Sequence, residues 1–202
     1  MKKVRWVTRK CNVQKLTFGA AIFLVILTSA ASAQNQQFQV DAQQTTINFT
    51  LGDVLHTVRG TFSVKQGALR FDPAVGKMSG QIVVDAKSGN SGSGMRDRKM
   101  NREVLESDRF PEITFRPDHV DGTVSPQGKS SVQVHGIFSI HGADHEMTVP
   151  ADVQISAGHW SAILHFAVPY VKWGLKNPSN LFLKVSESVD IDITTAGSVT
   201  HP

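Results

Sequence analysis

Cysteine is almost missing from this sequence: the one thiol among 202 residues, Cys11, lies ahead of an apolar run near the N-terminus. Residues 34–202 therefore hold no material for a disulfide or a Cys-ligated metal, and a domain of that size has to be held together by its core. A long hydrophobic run is missing as well. The stretch from Leu16 to Leu27 falls short of the about 20 apolar residues that a spanning helix needs. Positive charge is scarce once the N-terminus is set apart. Residues 1–33 carry six of the 21 Lys and Arg and none of the 17 Asp and Glu, which leaves 15 bases against 17 acids in residues 34–202, net −2. A nucleic-acid partner is excluded on that balance, because its footprint calls for clustered positive charge in the folded domain.

The N-terminus has the three parts of a secretory signal peptide. Lys2, Lys3, Arg5, Arg9, Lys10 and Lys15 precede the apolar run, and Ala31-Ser32-Ala33 follows it as a small-residue cleavage site. The expected division is a cleaved leader over 1–33 and a single domain over 34–202, with no transmembrane span in the mature protein.

Alternation dominates that domain. Val132, Val134, Phe138 and Ile140 share one parity against Gln133, His135 and Ser139. After a turn at Gly142, Ala143 and Asp144 the pattern resumes at Met147, Val149, Ala151, Val153 and Ile155. Side chains alternate across a strand, so this is a long hairpin with one buried face. Similar runs occur at 38–42, 45–51, 55–64, 68–71, 77–86, 160–170 and 181–193, with Lys65-Gln66-Gly67 read as a turn and Pro117 as a break between strands at 113–115 and 119–124. Gly60, inside a strand, suggests close approach of another backbone. Only Met95 to Glu106 departs from alternation: Met95, Arg98, Arg102 and Leu105, and likewise Met100 and Val104, fall at helical spacing. The pattern predicts an all-β antiparallel barrel of about eight strands with one short α-helix between strands. A barrel of that size encloses either packed side chains or one ligand. Gly60, Gly80, Gly136, Ala151 and Ala162 on the inward parity leave room beside the large residues.

Four ordered blocks carry a resemblance: LHTVRGTF (55–62), GSGMRDRKMNREVLESDRFPEITF (92–115), VHGIFSIHGADHEMTVPADV (134–153) and VPYVKWGLKNPS (168–179). Together they resemble the YceI-like, polyisoprenoid-binding proteins over about Phe38 to Ile193. The resemblance implies a lipocalin-like barrel, periplasmic or secreted, whose cavity holds an isoprenoid or another amphiphilic lipid for transport or storage, without catalysis and without a cofactor. It departs from better-known members at WGLKNPS (173–179), where they carry an Arg-x-Asp-Phe-Gly-like segment near the mouth, which implies a different head group.

Parity and side-chain character nominate Phe49, Phe62, Ile82, Val84, Phe115, Phe138, Ile140, Leu164, Phe166 and Leu183 as lipid-contacting residues. His56, Arg59, Arg96 and Trp173 are nominated at the cavity mouth, beside turns or loops of the matching blocks. A scaffold or envelope stress protein acting through its outer surface is the alternative. The sequence sets no oligomeric state, and a dimer is compatible with it.

Other chemistries find little support. His135 and His141 share a strand face six residues apart, roughly 20 Å along a strand, so they cannot meet on one ion unaided. Ser139, His141 and Asp144 supply the residue types of a hydrolase, but Gly-x-Ser-x-Gly is absent. No metal and no catalytic residue is assigned.

Overall fold

The computed structural model describes residues 35–52, 57–179 and 184–200. Nine strands follow in order: β1 Gln36–Val40, β2 Thr46–Gly52, β3 Thr57–Asp72, β4 Lys77–Asn90, β5 Glu112–Asp121, β6 Gly128–Ile140, β7 Ala143–Ser156, β8 His159–Val168 and β9 Val189–Thr200. All pairings are antiparallel, and the ring β2-β9-β8-β7-β6-β5-β4-β3 closes on itself. β1 adds no ninth stave. It pairs with the far ends of β3 and β9, below β2, so β1 and β2 form one stave with a corner between them. That corner is a 3-10 turn, Ala42–Gln44, capped by Asp41, whose carboxylate accepts from the Gln43 amide at 2.8 Å. The result is a closed eight-stave, lipocalin-like barrel.

The long hairpin is β6 and β7, in unbroken register from Gly128↔Ile155 to Ile140↔Ala143. Its turn is one residue earlier than the sequence suggests: His141 and Gly142 both have positive φ, 53° and 76°, the two-residue geometry whose twist suits a hairpin. Two expected breaks are continuous strand. Lys65–Gly67 is no turn, because β3 passes through it with register shifts at Thr61/Ser63 and Val64/Gln66. Pro117 lies inside β5 beside a register shift, where a missing amide hydrogen disturbs the ladder least. The inward glycines Gly60, Gly80 and Gly136 do not widen the interior either. A Cβ on Gly136 would strike the backbone of Arg116 and Pro117, one on Gly80 that of Ala68, and one on Gly60 the Asn90 carbonyl and the Phe49 ring. The neighbouring chain has moved into the space that each missing side chain leaves.

Along the barrel axis the interior divides. One end is packed solid by Phe38, Val40, Phe71, Val132, Ile155, Trp160 and Val199, with Trp160 meeting Phe38 edge-on at 5.7 Å. At the other end Leu105, Ile140, Val168, Tyr170 and Leu175 gather beneath a helix. That helix is α1, Gly94–Lys99, continued by one wide π-helical turn, Met100–Val104, in which the Leu105 amide bonds the Met100 carbonyl at 2.9 Å. No helix among the described residues is long and apolar enough to cross a membrane.

Candidate functional site

The wall is incomplete at the helical end. β7 pairs with β8 only from Ala151↔Leu164 to Ser156↔His159, so residues 143–150 of β7 and 165–168 of β8 diverge without a ladder between them. Residues 169–175 sit in the gap. Trp173 stacks on the His145 imidazole, centroids 4.2 Å apart and planes 3° from parallel, and lies 5.6 Å from the Phe138 ring. Tyr170 and Leu175 point into the apolar cluster. The segment is tied down by the Tyr170 hydroxyl, which donates to the Ser186 carbonyl at 2.7 Å, and by the Leu175 amide on the Tyr170 carbonyl at 3.0 Å. Burial holds the Tyr170 phenol above its ordinary pKa of 10.0, so it stays a donor.

Above the packed end the barrel contains a cavity of about 320 Å³. Its wall comes from seven strands, the helix and the connection between β8 and β9. Phe49, Phe62, Val84, Phe138, Ile140 and Phe166 line it, all nominated from parity. Parity missed its other contributors: Ile47, Leu51, Val58, Ile113, Val168, Tyr170, Leu175, Val185, Val189, Ile191 and Ile193 from strands and loop, and Met100, Val104 and Leu105 from the helix. Alternation in β9 and the four-residue spacing of Met100 and Val104 were the available clues.

Ile82 and Leu164 pack against the closed-end core and are absent from the cavity lining. Phe115, cross-strand from Ile82 and Phe138, is also absent from the lining. Arg59 alternates with the lining residue Val58 and is exposed, which puts it outside the cavity. Trp173 closes the seam rather than bordering the cavity. His56 and Leu183 lie outside the described residues.

The polar part of the lining is small: Ser91, Arg96, Lys99 and the Tyr170 phenol. Arg96 donates through Nη2 to the Ser91 carbonyl at 2.9 Å and through Nε to Ser91 Oγ at 3.2 Å. Lys99 Nζ donates to the Pro178 carbonyl at 3.2 Å. Asp97, next in the helix, accepts from both the amide and the hydroxyl of Ser91, at 2.8 and 2.6 Å, and the hydroxyl bond holds its carboxyl below the ordinary 3.8.

The hairpin-tip residues serve structure. His141 packs on Phe110, centroids 4.7 Å apart, with Nε2 3.3 Å from Glu106 Oε1. Ser139 donates to Asp144 and accepts from Arg116 Nη1 at 3.0 Å, and Asp144 also pairs with Arg116 at 2.8 Å. His135 bonds Asp118 through Nδ1 at 2.7 Å, and this partner lifts the imidazole above its ordinary 6.5. The contribution is fully present below about pH 6.5 and is lost as pH rises through the raised folded-state value. Asp118→Asn is expected to return the His135 titration toward 6.5, followed by NMR of the ring protons; an unchanged midpoint would contradict this.

A closed antiparallel barrel with an apolar chamber at one end is the architecture of a ligand-holding β-barrel. A family model described as the YceI-like domain matches residues 38–196, and the chain belongs to the YceI-like family. Solved structures share the fold. Burkholderia cenocepacia BcnA is 18% identical with a TM-score of 0.65, the match covering 79% of this chain and 99% of that one. A polyisoprenoid-binding domain from Saccharophagus degradans is 17% identical, TM-score 0.59, covering 82% and 98%. A Campylobacter jejuni YceI protein is 15% identical, TM-score 0.59, covering 71% and 86%. No curated protein matches the sequence.

Proposed function

We propose that the protein binds the tail of an isoprenoid or similar amphiphilic lipid in the barrel cavity, holding it for transport or storage outside the cytoplasm. The observation that carries this is the cavity itself: about 320 Å³, at the low end of the roughly 300–1,000 Å³ of small-molecule sites, with almost every lining group apolar. Each buried methylene contributes about 0.8 kcal/mol, so affinity resides in the tail. Selectivity resides at the polar groups. Arg96 and Lys99 bond neutral oxygens of Ser91 and Pro178, which leaves their charges available to an anionic head group. The Saccharophagus relative, described as polyisoprenoid-binding, supports the same ligand class. The leader expected over residues 1–33 supports action beyond the inner membrane, and we read the protein as a carrier rather than a catalyst.

Extraction of copurifying lipid, with the native mass of the intact complex, tests the proposal. A single bound amphiphile with a long apolar tail is expected. Protein that yields no lipid, and takes up none from prenyl-lipid micelles, would overturn it.

A further inference from the structure

The helix at the cavity end has a second face that the cavity does not use. Arg96, Lys99, Met100 and Val104 border the chamber. Met95, Arg98 and Arg102 lie three and four residues apart on another stripe, and all three are exposed, Met95 at 75%. The two acids of this segment are engaged: Asp97 by Ser91, and Glu103 by Lys176 at 2.9 Å. Among the described residues neither Arg98 nor Arg102 has an ion-pair partner. Charge is concentrated here against the trend of the domain. Residues 94–104 hold four bases and two acids, net +2, so the remainder of residues 34–202 is net −4.

We propose that the outward stripe of this helix, Met95, Arg98 and Arg102, docks the barrel mouth-first on a bilayer surface bearing anionic head groups. Cations within a Debye length of such a surface are drawn to it, while the net negative remainder of the barrel is repelled, and the opposition orients the molecule. Met95 is the apolar group placed to enter the head-group layer. Docked this way, the cavity end faces the membrane, and a tail can pass between bilayer and barrel over a short aqueous path. The docking stands without a bound lipid; its use in loading rests on the binding proposed above.

The test is vesicle co-sedimentation with protein expressed from its full-length sequence, so that every variant has the same N-terminus. The vesicles are equal parts phosphatidylglycerol and phosphatidylethanolamine, or phosphatidylcholine alone. Salt-sensitive binding to the anionic vesicles is expected, with Arg98→Glu/Arg102→Glu weakening it at least about tenfold. The charge-matched pair Arg70→Glu/Lys129→Glu, exposed at the closed end, is expected to bind within a factor of about two of the wild type if position matters more than total charge. Equal loss in both pairs, undiminished binding by the helix variant, or equal binding to phosphatidylcholine would overturn the proposal. Lipid retention by native mass, unchanged in the helix variant, separates failure of docking from failure of the cavity to bind.

Discussion

Ile191→Trp is expected to abolish lipid retention while leaving the barrel folded. Ile191 lies in β9 between Phe49 of β2 and Phe166 of β8, and all three line the cavity. An indole there occupies space that the tail would otherwise fill. Displacing four or five methylenes removes about 3–4 kcal/mol, two to three orders of magnitude in affinity. Overpacking costs about 1–3 kcal/mol in a filled core and less beside a void, so the melting transition should survive. The readout is bound lipid per protein by native mass, alongside thermal unfolding. A variant that unfolds cooperatively and still carries lipid at the wild-type level would place the ligand elsewhere.

Trp160→Ala is expected to act at the other end and in the opposite sense, on stability rather than on the ligand. The indole is only 7% exposed, meets Phe38 edge-on, and donates through Nε1 to the Gln39 carbonyl at 3.2 Å. Gly197 lets the chain approach it, since a Cβ there would strike Gln39 and crowd the indole nitrogen. Truncating a buried Trp costs about 3–5 kcal/mol. For a domain of this size that lowers Tm by on the order of ten degrees. Urea unfolding measures the loss, and a change below about 1 kcal/mol would mean that the closed end is not the mainstay of the barrel.

Side-chain parity carried most of the architecture, because a strand that buries one face must alternate. It gave the long hairpin, the closed barrel and the single helix, and it gave inward direction correctly for Phe138 and Phe166. It could not give height along the barrel. Ile82 and Leu164 pack against the closed-end core yet are absent from the cavity lining, because strand stagger, which no local pattern encodes, decides which layer a residue joins. Pro117 and Lys65–Gly67 looked like ends of strands because their local chemistry disfavours a ladder; partners on both sides carried β3 and β5 through with register shifts. Trp173 and Tyr170 illustrate the remaining gap. Their roles depend on β7 and β8 diverging, a long-range event, and on His145 and Ser186 meeting them there.

The stave shared by β1 and β2 has a consequence for the order of events in folding. β9 bonds β8 on one side and both β1 and β2 on the other, and the Thr45 and Thr195 hydroxyls meet at 2.8 Å across 150 positions of chain. Until β9 docks, the ring is an open sheet with two free edges, each able to pair with another chain. Closure over such sequence separations belongs to the slow regime of all-β folding, on the order of milliseconds to seconds. Ile191 and Ile193 reach the cavity only at that step. The cavity is therefore completed together with the barrel, and a fragment ending before residue 189 is expected to have neither.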